Sequence, residues 1–126
     1  MKSEEFPCPC CGYLTFDAPP GSDAICEICG WQDDISQLRF PLTGGGANGP
    51  SLVQAQKNFI ELGYSNGRRL DTGGQRGDKA REPTWRMIDL TRDDVEFAAP
   101  GVDYGLTYPA NLTVLYYWGV YYWRKR

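Results

Sequence analysis

The sequence predicts a small α+β fold: a two-knuckle β module at the N-terminal end, one amphipathic helix at about 51–62, and an irregular, aromatic C-terminal extension. Three observations carry this expectation. All five cysteines fall in the first quarter of the chain, four of them as two C-x2-C pairs. A single capped apolar stripe with helical spacing follows a glycine-rich loop. The chain has only 126 residues, with 15 Gly and 9 Pro, which allows one domain, or one small domain with an extension, rich in turns and modest in core.

The cysteines resolve into Cys8-x2-Cys11 and Cys26-x2-Cys29, separated by 14 residues and each followed by glycine, Gly12 and Gly30. Paired spacing of this kind is the pattern of a zinc site, and a glycine free to take positive φ suits the tight turn after each pair. Four thiolates fill the tetrahedron of zinc at about 2.3 Å and leave no position for water, so one structural ion is expected, in a zinc-ribbon-like module. Such binding contributes on the order of 10–16 kcal/mol, comparable with the roughly 5–15 kcal/mol that holds a whole domain together. Cys10, adjacent to Cys11, is not expected to be a ligand. It reads as a small residue inside the knuckle turn, the sharper alternative being an activated thiol, for which no nearby basic residue provides a cause.

Between the knuckles, Tyr13-Leu14-Thr15-Phe16 reads as one arm of a hairpin ending at Asp17-Ala18-Pro19-Pro20-Gly21. Trp31 is placed to pack over the metal site or to face a partner, and Gln32-Asp33-Asp34 reads as a solvated turn or a recognition edge. The loop Gly44 to Pro50 lacks the lysine and hydroxyl of a phosphate-binding loop and reads as structural, with Asn48 bonding backbone. Ser51 as N-cap, Gln54 as its capping-box partner and Gly63 at the far end delimit the helix. Its stripe is Leu52, Ala55, Phe59 and Leu62, expected against the zinc module, with Gln56, Lys57 and Glu61 pointing elsewhere.

This divides the chain into a module over 1–64, a polar flexible linker over 65–83, and an extension over 84–126 that packs on the first part. Within the extension, Thr84 to Ile88 reads as strand-like, and Thr91-Arg92-Asp93-Asp94 as the start of a turn carrying Val95 and Phe97. The segment 112–123 puts apolar residues on every face of a helix and both faces of a strand. Its secondary structure stays open, as does its place in the core or at an interface.

The strings Cys8-Pro9-Cys10-Cys11-Gly12-Tyr13-Leu14-Thr15, Pro19-Pro20-Gly21-Ser22, Ile25-Cys26-x2-Cys29-x-Trp31-x-Asp33-Asp34, Gln37-Leu38-Arg39, Gly45-Gly46-Ala47-Asn48-Gly49-x-Ser51-Leu52 and Lys57-Asn58-Phe59 together resemble the bacterial cysteine-rich CPCC family. The resemblance covers the first half of the chain. It implies a bound zinc and this fold rather than a particular activity, and a setting in which some small proteins of this sort sit beside bacterial toxins as immunity factors.

Composition narrows the function. With no histidine, the imidazole base, the Ser-His-Asp and Cys-His pairs and every His-containing zinc site are excluded. The formal charge is −3, and four thiolates with one divalent cation bring it to −5. That balance disfavours phosphate binding and favours a basic protein partner. The expected function is therefore a non-catalytic, zinc-stabilised protein-binding module, most concretely an immunity or inhibitor-type protein masking a basic toxin or effector. Trp31, Asp33, Asp34, Tyr117, Trp118 and Tyr121 are its expected partner contacts. The alternatives are a zinc-ribbon nucleic-acid-binding protein using the stretch from Arg68 to Arg81, and an enzyme using Asp33 and Asp34 or Cys10, for which no positioned partner is evident. The opening residues lack the positive start and apolar run of a secretion signal, and no stretch is long enough for a membrane span. A cytoplasmic location is expected.

Overall fold

Each cysteine pair closes a tight turn in which the following glycine returns its N–H to the carbonyl of the first cysteine: Gly12 to Cys8 at 2.7 Å and Gly30 to Cys26 at 2.9 Å. Both glycines have φ of +83°, the left-handed region that side chains disfavour. Gly12 has a second reason, since a Cβ there would lie 2.6 Å from the ring of Trp85. In the computed structural model, which describes residues 4–66 and 79–124, these two turns are the foundation of the fold.

The first turn is flanked by β1 (Phe6–Pro7) and β2 (Leu14–Phe16), an antiparallel pair with Phe6 opposite Phe16 and Pro7 opposite Leu14, and with an irregularity between them. The hairpin arm expected at Tyr13 to Phe16 is thus β2. The second turn is closed by Ile25 bridging Gln32 and by Cys26 N–H donating to the Trp31 carbonyl at 2.8 Å. A third edge comes from far along the chain: Leu14 N–H donates to Ala80 O, and Tyr13 bridges Arg81. Residues 67–78, which hold most of the expected linker, lie outside the described residues.

Two helices follow. Asp34 caps α1 (Ile35–Arg39) by accepting from the N–H groups of Ser36 and Gln37. Ser51 caps α2 (Leu52–Leu62) by accepting from Gln54 N–H, and Gly63 ends it with φ +83°. The reciprocal half of the capping box is absent, because the Gln54 side chain donates to Asn58 instead. Leu52, Ala55 and Phe59 enter the core beside the cysteines, as the stripe predicts. Two positions of α2 differ from expectation. Leu62 is 55% exposed, and Gln56 is buried. Gln56 faces inward because its amide joins three segments: it donates to Pro9 O and to the Tyr117 hydroxyl and accepts from Ile88 N–H.

The extension has little regular structure of its own. Thr84 to Ile88 forms no strand, because Trp85 turns onto the first knuckle rather than into a ladder. Val95 is buried, whereas Phe97 is 69% exposed. One 3-10 turn, Leu112–Leu115, is capped by Asn111 and gives way to successive turns. Leu115, Tyr117, Trp118 and Tyr122 point inward while Val120 and Tyr121 point out, an aperiodic alternation that neither a helix nor a strand would produce.

Arg39 is a further fastening of this extension to the first half, beside Gln56 and Trp85. Its guanidinium is buried and pairs in a fork with Glu96, both contacts at 3.0 Å, while Nη1 donates to Thr107 at 2.8 Å. The rings of Phe40, Tyr104, Tyr108 and Trp123 lie 4.6 to 5.2 Å from its centre. No helix among the described residues is long and apolar enough to cross a membrane.

Candidate metal centre

The two knuckles bring Cys8, Cys11, Cys26 and Cys29 together, with all four Sγ atoms buried and within 4.8 Å of one another. The Cys8 to Cys29 separation is 3.6 Å and that of Cys11 to Cys26 is 3.7 Å. Sulfurs at about 2.3 Å from a tetrahedral zinc lie about 3.8 Å apart, so the set already has the dimensions of a metal cage. Thr15 Oγ1 lies 3.2 Å from Cys26 Sγ, and Ile28 N–H donates to the same sulfur at 3.4 Å. These contacts would orient Cys26 from outside the coordination sphere of a bound metal.

Electrostatics explains why such a cage suits a cation. Burial pushes the Cys8 and Cys29 thiols well above their ordinary value. Cys26 is drawn far down by the neighbouring sulfurs of Cys11, Cys29 and Cys8. Burial this complete opposes the charging of several thiols at once. A divalent cation changes that, since it compensates the charge and lets all four sulfurs ionise. The four buried cysteines are positioned to bind a metal ion.

Cys10 is buried beside the cage but stands outside the tetrad, and burial raises its thiol above the ordinary value. That is the environment of an inert packing thiol. Trp31 is wholly buried in the same cluster, and its indole N–H has no hydrogen-bond partner among the described residues.

The acidic pair has a different place from a solvated edge. Asp33 is buried and its carboxylate accepts from Ser22 Oγ at 2.6 Å and Ser22 N–H at 3.0 Å, which ties the second knuckle's hairpin to the Pro-Gly turn. Asp34 divides its oxygens between the α1 cap and Ala47 N–H at 2.9 Å. The glycine-rich loop is likewise turned to internal use: Asn48 bonds both backbone groups of Gln32 and the Gln37 side chain, whose amide bonds Thr43, Asn48 and Pro50 carbonyls.

Among the six residues expected to meet a partner, Trp31, Asp33, Tyr117 and Trp118 are therefore internal. Their size or hydrogen bonding makes them core. Tyr121 is the one fully open to solvent, at 82% exposure. The basic stretch is divided: Arg68, Arg69 and Arg76 lie outside the described residues, Lys79 sits between Glu5 and Glu27, and Arg81 is stacked between two aromatic rings.

A small α+β scaffold whose interior is a buried cysteine tetrad defines a metal-binding module of the zinc-ribbon-like kind. The sequence model of the cysteine-rich CPCC proteins matches residues 6–79, more than half of the 126-residue chain. The chain belongs to the cysteine-rich CPCC family. No curated protein matches it.

Proposed function

We propose that this protein is a zinc-stabilised, non-catalytic protein-binding module with a basic partner, in its most concrete form an inhibitor or immunity-type protein that masks a basic toxin or effector. The observation that carries the reading is the closed donor set. Four buried thiolates complete the tetrahedron of zinc, the arrangement of structural rather than catalytic sites, which keep one position open. Zinc there cross-links two segments that have little regular structure to hold them otherwise. The carboxylates of Asp33 and Asp34 are occupied by backbone and serine donors, which supports a structural rather than catalytic use.

Charge supports the choice of partner. The formal −3 becomes −5 with four thiolates and one divalent ion, a balance that steers basic proteins and repels phosphates. Lys79 is held between two glutamates and the Arg81 guanidinium is engaged by Tyr13, Trp85 and the Cys11 carbonyl, so these two cations support the protein reading over the nucleic-acid one. Tyr121 and Val120 border a cleft of about 310 Å³ with Thr84, Thr113, Tyr116 and Trp118, and Tyr121 is the exposed aromatic available as an anchor. A reducing cytoplasm would keep the cysteines as metal ligands.

The test has two stages. Elemental analysis of purified protein is expected to return one zinc per chain. Affinity purification from the native cell, with mass spectrometry, is then expected to yield a basic protein whose association with the purified chain weakens with salt and with Tyr121→Ala. Protein without metal, or retention of nucleic acid on a filter in place of a basic partner, refutes the reading.

A further inference from the structure

We infer that Arg81 and Trp85, neither of them a ligand and both beyond the residues matched by the family, are positioning residues that clamp the first knuckle from outside and set how tightly the metal is held; the inference rests on the metal reading above. The clamp is built on backbone carbonyls. Arg81 Nε donates to Cys11 O at 2.8 Å, Trp85 Nε1 donates to Pro9 O at 2.9 Å, and Glu82 N–H donates to Gly12 O at 2.7 Å. Three carbonyls from residues 9–12 are thereby held by residues 81–85. Gln56 adds a second donor to Pro9 O at 3.0 Å.

The side chains of the clamp brace one another. The Arg81 guanidinium lies between Tyr13 at 4.7 Å and Trp85 at 4.8 Å, so one cation fastens the two aromatic jaws. The Trp85 ring fills the space that any side chain at position 12 would need, 2.6 to 2.8 Å from a Cβ built there. Because a trans peptide is planar with its N–H opposite its C=O, fixing the carbonyls of Pro9 and Cys11 also fixes the N–H directions of Cys10 and Gly12 on the other side, within the turn that carries Cys8 and Cys11. The second knuckle has a lighter hold, from Ser65 N–H to Cys29 O at 2.8 Å.

Outer contacts of this kind change metal affinity by orienting ligands, and losing one weakens binding by about 10–100-fold. Coupling is reciprocal, so a clamp that closes on the loaded knuckle must also tighten the ion.

The experiment measures zinc affinity of the full chain by competition with a chromophoric chelator, and the visible bands of the Co(II)-loaded protein, for wild type, Arg81→Met and Trp85→Phe. Glu96→Gln serves as a control that loosens the extension at its Arg39 fastening without touching the knuckle. Both clamp variants are expected to bind zinc about 10–100-fold more weakly and to show altered Co(II) bands, with Glu96→Gln close to wild type. Wild-type affinity in both clamp variants, or an equal loss in Glu96→Gln, overturns the clamp while leaving the metal centre standing. A wild-type chain that takes up neither ion removes the metal reading and the clamp together.

Discussion

Replacing Arg39 by methionine removes one fastening between the family module and the extension. Methionine keeps an unbranched stem of similar reach but leaves the Glu96 carboxylate, whose side chain is 16% exposed, without its cation. Breaking one partner of a buried pair costs about 3–5 kcal/mol, chiefly the penalty of the charge left behind. Thr107 also loses the Nη1 donor at 2.8 Å. The four surrounding rings contribute less than their number suggests: each cation–π contact is worth about 0.5–1 kcal/mol, they share one cation, and the methionine thioether restores part of the packing. A loss of about 3–5 kcal/mol is a large part of a stability of about 5–15 kcal/mol. Urea unfolding of the metal-loaded protein reads it directly, as a lower midpoint at constant slope. The double variant Arg39→Met, Glu96→Gln should lose less than the sum of the single ones, because the stranded charge is gone. An Arg39→Met loss under about 1 kcal/mol would show that the pair contributes no more than a surface one, and the argument for Arg39 as a fastening would fail.

Gln56→Leu fills similar volume but strands Ile88 N–H and takes a donor from the Tyr117 hydroxyl, while Pro9 O keeps Trp85; a loss of about 2–4 kcal/mol in urea is expected, and a neutral outcome counts against the buried amide. Gly12→Ala should destabilise more than Gly63→Ala by thermal unfolding, since both share φ +83° and its cost of about 1–2 kcal/mol, but only Gly12 has the Trp85 ring in the way. Equal effects would remove that ring from the explanation. Arg86, bonded to both oxygens of Asp93 at 2.7 and 2.8 Å, holds that carboxyl below the usual carboxylate range. Its folded value being the lower one, the stabilisation is present above about pH 4 and is lost as pH falls through the depressed value. The gap in urea midpoint between wild type and Asp93→Asn should therefore close on acidification, and a gap constant from pH 6 to pH 2 contradicts the pairing.

What the chain announced locally, the structure contains. The cysteine pairs, their glycines, the arm at β2 and the boundaries of α2 are set by neighbours within a few residues, which is the range over which spacing and capping rules operate. Asp33 and Asp34 show the limit. An acidic pair after a tryptophan looks solvated, yet the partners that decide otherwise, Ser22 and Ala47, lie 11 and 13 residues away. Asp34 caps α1, but a helix of five residues is too short for an apolar period to announce it. Arg39 and Gln56 were beyond reach altogether, because a polar side chain goes inside only when distant donors and acceptors converge on it. Theirs are up to 68 and 61 positions away. The aromatic run at 112–123 has no period because its inward residues answer to several surfaces in turn.

The order in which these parts leave the ribosome matters, because the jaws at Tyr13 and Trp85 are separated by most of the family module. Both sulfur-bearing turns and α2 are synthesised before Arg81 and Trp85 exist. Domains begin to organise from the N-terminal side as they emerge, so on the clamp proposal the nascent tetrad would meet cellular ions through an ungripped turn, and the grip would arrive second. Capture and retention of a metal would then fall to different stretches of one polypeptide, the later one closing a door that the earlier one had to leave open.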